Sequence, residues 1–465
     1  MKRIKNEFSS LVNRGVDRHL RLAVTGLSRS GKTAFITSLV NQLLNIHSGA
    51  RLPLLSAFRE ERLLGVKRVP QRDFGVARFT YDEGIAQLYG SPAAWPTPTR
   101  GVSEMRLAIR YRPQDSLLRH FRDTATLYLE IVDYPGEWLL DLPMLAQDYL
   151  TWSRQMTGMV SGPRTAWASR WRSLSHDLDP LAPADESRLA AIAAAWTDYL
   201  LTCKEQGQHF IQPGRFVLPG DMAGAPALQF FPWPDVDKWG ESKLAQAGRH
   251  TNFGMLKARY DYYCNHVVKG FYRDHFLRFD RQIVLVDCLA ALNSGPQAFN
   301  DMRLALTQLM QSFHYGQRTL FRRLFSPVID KLMFAATKAD HVTVDQHANL
   351  VSLLQQLVQD AWQNAAFEGI AMDCLGLASI QATQSGLVDH QGQKIPALRG
   401  LRLDDGEPLT VFPGEVPARL PGPDFWERQS FNFEQFRPAQ MDSDRPLPQI
   451  RMDAALEFLI GDKLR

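Results

Sequence analysis

Eight consecutive residues carry the most specific chemistry in the chain. Gly26-Leu27-Ser28-Arg29-Ser30-Gly31-Lys32-Thr33 satisfies the pattern G-x-x-x-x-G-K-[ST]. Its glycines allow a backbone curl in which successive N–H groups point at the oxygens of a polyphosphate. A helix beginning at the end of the loop would add its positive pole. In such a loop the Lys32 ammonium reaches the β- and γ-phosphates, and the Thr33 hydroxyl ligates Mg²⁺. The candidate phosphate-binding residues are therefore Ser28, Arg29, Ser30, Gly31, Lys32, Thr33 and Ala34.

Two later motifs extend this site. Asp133-Tyr134-Pro135-Gly136 closes an apolar run. An aspartate there can hold a water on Mg²⁺, and the Gly136 N–H can reach a γ-phosphate, so the segment can respond to that phosphate. Thr337-Lys338-Ala339-Asp340 closes another apolar run, with His341 beside it. The Asp340 carboxylate can accept from both N1–H and the 2-amino group of guanine. Adenine offers neither donor, and a buried carboxylate left unpaired costs about 1–3 kcal/mol. The Lys338 stem can lie along the plane of the base.

These motifs need elements to hold them. Arg21–Thr25 is a short apolar run before the glycine loop, and Ala34–Ile46 has helical apolar spacing after it. A polar, Pro-rich stretch follows, containing Pro92, Pro96 and Pro98. Met105–Tyr111 and Ala125–Asp133 then alternate as strands. From about Leu150 to Phe279 the expected elements are helices, Ala184–Cys203 and Phe253–Leu277, with Asp185 as a cap for the first. Six of the ten tryptophans fall in this window, and the simplest use for them is a small core of its own. Strands return at Gln282–Leu289, Lys331–Thr337 and Asp373–Ile380, separated by helices over Asp301–Phe313 and Leu350–Phe367. The alternation predicts an α/β fold with a doubly wound, mostly parallel sheet, its nucleotide at the carboxyl ends of the strands. Residues 387–450 read as a small β-rich excursion, and 451–465 as a closing helix.

With 465 residues, 45% hydrophobic and 22% charged, the chain can bury a large core. A net charge of +4 is too slight to argue nucleic-acid binding, and no such partner is expected. The four cysteines lack zinc spacing and suit a reducing compartment. Residues 1–20 hold five cations and two acids, with Ile4, Phe8, Leu11 and Val12 near one helical face. They read as a basic amphipathic helix that either docks on the domain it precedes or lies on a membrane surface. The expected location is cytoplasmic, with peripheral contact at the inner face of the membrane as the alternative.

The three motifs resemble the G1, G3 and G4 elements of Ras-like P-loop GTPases. More narrowly, DYPGEW, TKAD and DCLGLASIQAT, with a long helical insert between, resemble the YcjX family of bacterial stress-linked GTPases. That resemblance implies GTP/GDP and Mg²⁺ as ligands, a Ras-like domain over 21–149 and 280–386, a helical insert over 150–279, and a stress role. By position, Gln381, Ala382 and Thr383 would support the guanine O6, although the usual Ser-Ala pair is absent. Thr99, or else Thr97, would be the switch threonine on Mg²⁺. Glu137 stands where Ras-like proteins often carry a glutamine that orients the attacking water. Arg29 stands where some relatives place an asparagine that coordinates K⁺, and its guanidinium could replace that cation in catalysis. An unknown protein partner would dock through the switch segments or the helical insert. The alternative readings are a nucleotide-regulated adaptor with little or no hydrolysis, and an ATP-dependent enzyme on the same loop.

Overall fold

The computed structural model describes residues 17–27, 29–99, 101–114, 123–314, 329–367, 369–422, 424–428 and 433–465. They divide into two compact units, one within 1–134, 279–296 and 327–465, the other within 135–278 and 297–326.

The first unit is built on eight strands: β1 (Arg18–Gly26), β2 (Leu63–Arg68), β3 (Ala77–Arg78), β4 (Ser103–Tyr111), β5 (Ala125–Asp133), β6 (Arg281–Val286), β7 (Lys331–Ala336) and β8 (Ala371–Gly376). Their order is β2-β4-β5-β1-β6-β7-β8, with β3 beside β4. The five strands β5, β1, β6, β7 and β8 are mutually parallel. β4 runs antiparallel to β5, and β2 antiparallel to β4. All six residues of β6 are buried, as expected of a central strand covered on both faces. One face of the sheet (Leu22, Val24, Leu107, Leu129, Ile283, Met333) shares a core with Phe35, Leu39 and Leu43 of the helix Lys32–Leu44 and with Leu456 and Leu459 of the closing helix Met452–Ile460. Chain order reverses across β1, which lies between β5 and β6. Ligands of open α/β sheets bind at the carboxyl ends beside such a reversal.

Several elements differ from the sequence reading. β1 begins at Arg18, inside the stretch expected to be an N-terminal helix over 1–20, because Arg18 onward pairs in register with β5 from Leu127. The remainder of that stretch, 1–16, lies outside the described residues. β2 and the helix Tyr81–Leu88 occupy the stretch read as polar loop. β2 is an outer strand in which only Leu63 is buried, with a register irregularity between Leu63 and Gly65, so its alternation is weak. The expected helix 350–367 is two helices, His347–Leu357 and Gln359–Phe367. β8 spans Ala371–Gly376 rather than Asp373–Ile380. A separate antiparallel sheet, β9 (Gln384–His390), β10 (Gln393–Arg402), β11 (Pro408–Val411) and β12 (Phe436–Arg437), forms the β excursion. Its tightest turn uses Gln391 and Gly392, with φ of 54° and 82°, the positive values that two-residue hairpins require.

The second unit is helical and includes residues from Gln297 onward as well as Pro135–Arg278, against the 150–279 read from the sequence. Trp152, Trp171, Trp196 and Trp233 are buried in it, and Trp152 meets Phe230 and Tyr260 at ring distances of 5.4 and 5.3 Å. The helix Glu186–Glu205 is capped by Asp185, which accepts from the Arg188 N–H at 3.1 Å. The expected single helix 253–277 contains a π-helical turn, Tyr263–Val268, between two α-helical pieces.

Candidate functional site

β1 delivers the chain to Gly26, where any Cβ would lie 2.2 Å from the Ser30 hydroxyl oxygen and 2.7 Å from the Leu285 carbonyl oxygen. Only glycine fits there. Leu27 N–H donates to the Leu285 carbonyl at 3.2 Å and Ser30 N–H to the Leu27 carbonyl at 3.1 Å, which closes the curl. Ser28 lies outside the described residues. Gly31, at φ 82°, begins the helix Lys32–Leu44 with no side-chain cap and no acid in the first turn. The N–H groups of Lys32, Thr33 and Ala34 thus open a helix whose positive pole has no carboxylate of its own. Lys32 and Ala34 are half-buried, and Arg29 is exposed at φ 62°.

Three oxygen-bearing side chains meet beside this loop. Thr33 Oγ1 lies 3.4 Å from Thr99 Oγ1, and the Thr99 hydroxyl donates to Asp133 Oδ2. Thr97 is held elsewhere: its Oγ1 accepts from Gln87 Nε2 at 2.8 Å, and its N–H donates to Gln87 Oε1 at 2.9 Å. Asp133 ends β5, is 1% exposed, and its Oδ1 has no hydrogen-bond partner among the described residues. Burial raises the Asp133 carboxyl above its ordinary range, and the Lys32 ammonium opposes that. Two hydroxyls and a carboxylate with one unused buried oxygen suit a hard divalent cation such as Mg²⁺.

The TKAD segment follows β7. Thr337 N–H donates to the Val286 carbonyl at 3.0 Å, which ties this turn to the end of β6. Lys338 adopts φ 60°, and its ammonium lies 2.6 Å from Asp287 Oδ2. Asp340 is buried. Its Oδ2 accepts from Ala382 N–H at 2.8 Å, and its carbonyl accepts from the Thr383 hydroxyl. Gln381 is anchored by its N–H on the Pro448 carbonyl and its side chain on the Thr383 carbonyl, at 2.8 and 3.0 Å. The fold therefore brings 381–383 against Asp340, and among the described residues no hydrogen bond reaches its Oδ1. His341 is buried edge-on to Phe436 at 5.1 Å, and burial lowers its pKa.

Asp287 was absent from the sequence reading. It ends the apolar run of β6, the same signal that marked Asp133 and Asp340, but no familiar motif surrounds it.

Gly136 and Glu137 belong to the helical unit. Gly136 is buried and starts the 3₁₀ helix Gly136–Ala146. Glu137 stands where Ras-like proteins often carry the glutamine that orients the attacking water. It is 5% exposed, its carboxylate lies 2.7 Å from the Lys204 ammonium, and Gly214 approaches so closely that a Cβ there would meet the Glu137 carbonyl oxygen at 2.2 Å. That placement makes it an internal anchor of the helical unit.

Among the described residues, no helix is long and apolar enough to cross a membrane. A model described as YcjX-like family, DUF463, matches residues 20–464. The chain is 82% identical over 465 residues, the full length of both proteins, to the Ras-like GTPase YcjX of Escherichia coli (strain K12). It is 47% identical over 481 aligned positions, covering 100% of this chain and 98% of the relative, to the Ras-like GTPase YcjX of Shewanella oneidensis.

Proposed function

The chain belongs to the YcjX-like family and has the Ras-like P-loop α/β fold with added domains, and from that premise we propose that it is a Mg²⁺-dependent GTPase that signals nucleotide state through the segment leaving β5. The observation that carries the guanine assignment is Asp340: a buried carboxylate with Oδ2 held by Ala382 N–H and no hydrogen bond to Oδ1 among the described residues, just past a strand end of the sheet that also carries the glycine loop.

In this reading Lys32 and the N–H groups of Gly31 to Ala34 hold the phosphates, and the helix pole offsets charge that develops on the leaving oxygen. Thr33, Thr99 and Asp133 hold Mg²⁺, which would supply charge neutralisation at the β- and γ-phosphates. Asp340, flanked by the loop 381–383, reads the base, and Lys338 lines it. The Gly136 N–H would sense the γ-phosphate. A slow enzyme, or an adaptor that barely hydrolyses, is favoured over a fast one by Glu137, whose carboxylate is engaged by Lys204.

Calorimetric titration of the full-length protein with GDP and with ADP, each with Mg²⁺, tests the assignment. GDP should bind at least tenfold tighter, a difference of about 1.4 kcal/mol. Asp340→Ala should erase the preference, and Lys32→Ala should abolish GTP turnover. Equal affinity for the two nucleotides in the unaltered protein would overturn the reading.

A further inference from the structure

The Lys338 ammonium has a partner, Asp287, that lies outside the three motifs of the sequence. Asp287 is 2% exposed while the Lys338 side chain is 29% exposed, so the charge is anchored from inside the protein. Burial alone would raise the Asp287 carboxyl, but the Lys338 ammonium outweighs it and leaves the group below its usual range. Asp287 Oδ1 separately accepts the Ala290 N–H at 3.0 Å and caps the helix Cys288–Asn293. The two strands that carry these residues are neighbours, with Val286 opposite Ala336.

We propose that Asp287 is a positioning residue for guanine recognition: it pins the Lys338 ammonium, holds the lysine stem as one wall of the base slot, and keeps that cation away from Asp340. The inference rests on the guanine reading of Asp340. Its physical content is a competition. Lys338 and Asp340 lie two residues apart in one turn, and the Asp340 carboxylate is the group guanine needs. A freed ammonium would have the buried Asp340 carboxylate, two residues on in the same turn, as an alternative counter-charge, and a base would then have to displace it. Asp287 removes the competitor. The loss on removing Asp287 should therefore fall on guanine and spare the phosphate end of the site.

Asp287→Asn separates the two roles of the residue, because an asparagine oxygen still caps Ala290 but no longer carries charge. Four full-length proteins are compared by calorimetry with GDP, ADP and pyrophosphate: unaltered, Asp287→Asn, Lys338→Met and the double variant. Asp287→Asn should weaken GDP about tenfold and leave ADP and pyrophosphate within threefold, with the melting temperature unchanged within about 2 °C. In the Lys338→Met background, Asp287→Asn should cause no further loss of GDP affinity, because there is no ammonium left to misplace. Additive losses, or unaltered GDP affinity in Asp287→Asn, would overturn this inference while leaving the guanine reading intact. Equal GDP and ADP affinity in the unaltered protein would overturn both. Should Asp287→Asn fail to fold, Asp287→Glu carries the test: it keeps the charge and should hold GDP within threefold of the unaltered protein. Loss of the GDP preference in that folded variant would count against the proposal.

Discussion

Arg29 pairs exposure with φ 62°, a left-handed conformation that costs a non-glycine residue about 1–2 kcal/mol. Arg29→Gly should raise the melting temperature by about 1–2 °C. If the guanidinium stands in for a monovalent cation, the same change should lower turnover in Na⁺ and recover part of it in K⁺. Turnover unchanged from the unaltered protein in both salts would remove Arg29 from the chemistry. The choice between the two threonines is likewise testable. Thr99→Ala should raise the Mg²⁺ concentration needed for half-maximal turnover several-fold, and Thr97→Ala, which only frees Gln87, should not. A matching shift in both variants would leave the hydroxyl at Thr99 without a special role. Lys32, Asp133 and Asp340 were legible because each belongs to a motif at or just after the end of a strand, where the backbone geometry is local. Glu137 and Asp287 were not, since the partner of each comes from a distant part of the chain.

Within the helical unit, the element that begins at Gly136 is fastened by a buried acid. Asp141 is 2% exposed; its oxygens accept the Gly214 N–H at 2.8 and 3.0 Å, and the Tyr263 hydroxyl donates to Oδ2 at 2.5 Å. Burial pushes its carboxyl up to about 7, and the bonds from Tyr263 and Gly214 only partly counter it. The folded form thus keeps a proton that the unfolded chain, at the ordinary value of 3.8, releases. This stabilisation is complete below about pH 4, declines as pH rises toward 7, and is absent above it, with an amplitude on the order of a few kcal/mol. Thermal melts at pH 5, 6, 7 and 8 should show the unaltered protein losing stability relative to Asp141→Asn as pH rises. A constant difference between the two proteins would show that Asp141 does not titrate in this range. Helices and central strands were readable from apolar periodicity and unbroken apolar runs. β2 and the π-helical turn were not: β2 buries a single residue, and the extra residue of a π turn leaves no mark in an apolar pattern.

Between the two units the described chain passes at Tyr134–Pro135, Arg278–Phe279 and Pro296–Gln297. The first of these crossings falls inside the Asp133–Gly136 motif, so a motif proposed to sense phosphate is covalently continuous with the 3₁₀ helix Gly136–Ala146 of the helical unit. Hydrogen exchange should therefore differ across residues 136–146 between protein loaded with GDP and protein loaded with a non-hydrolysable GTP analogue. Identical exchange there in both states would refute signalling through that segment. The sequence by itself determined the glycine loop, the two later strand-end motifs, the parallel α/β class and the existence of a helical insert, because each depends on neighbours a few residues away. Only the tertiary structure decided which threonine meets Asp133, that Glu137 belongs to Lys204, and that Lys338 belongs to Asp287. The partner of a buried charge is chosen by strand order and by the cost of leaving it unpaired, and neither is written in local spacing.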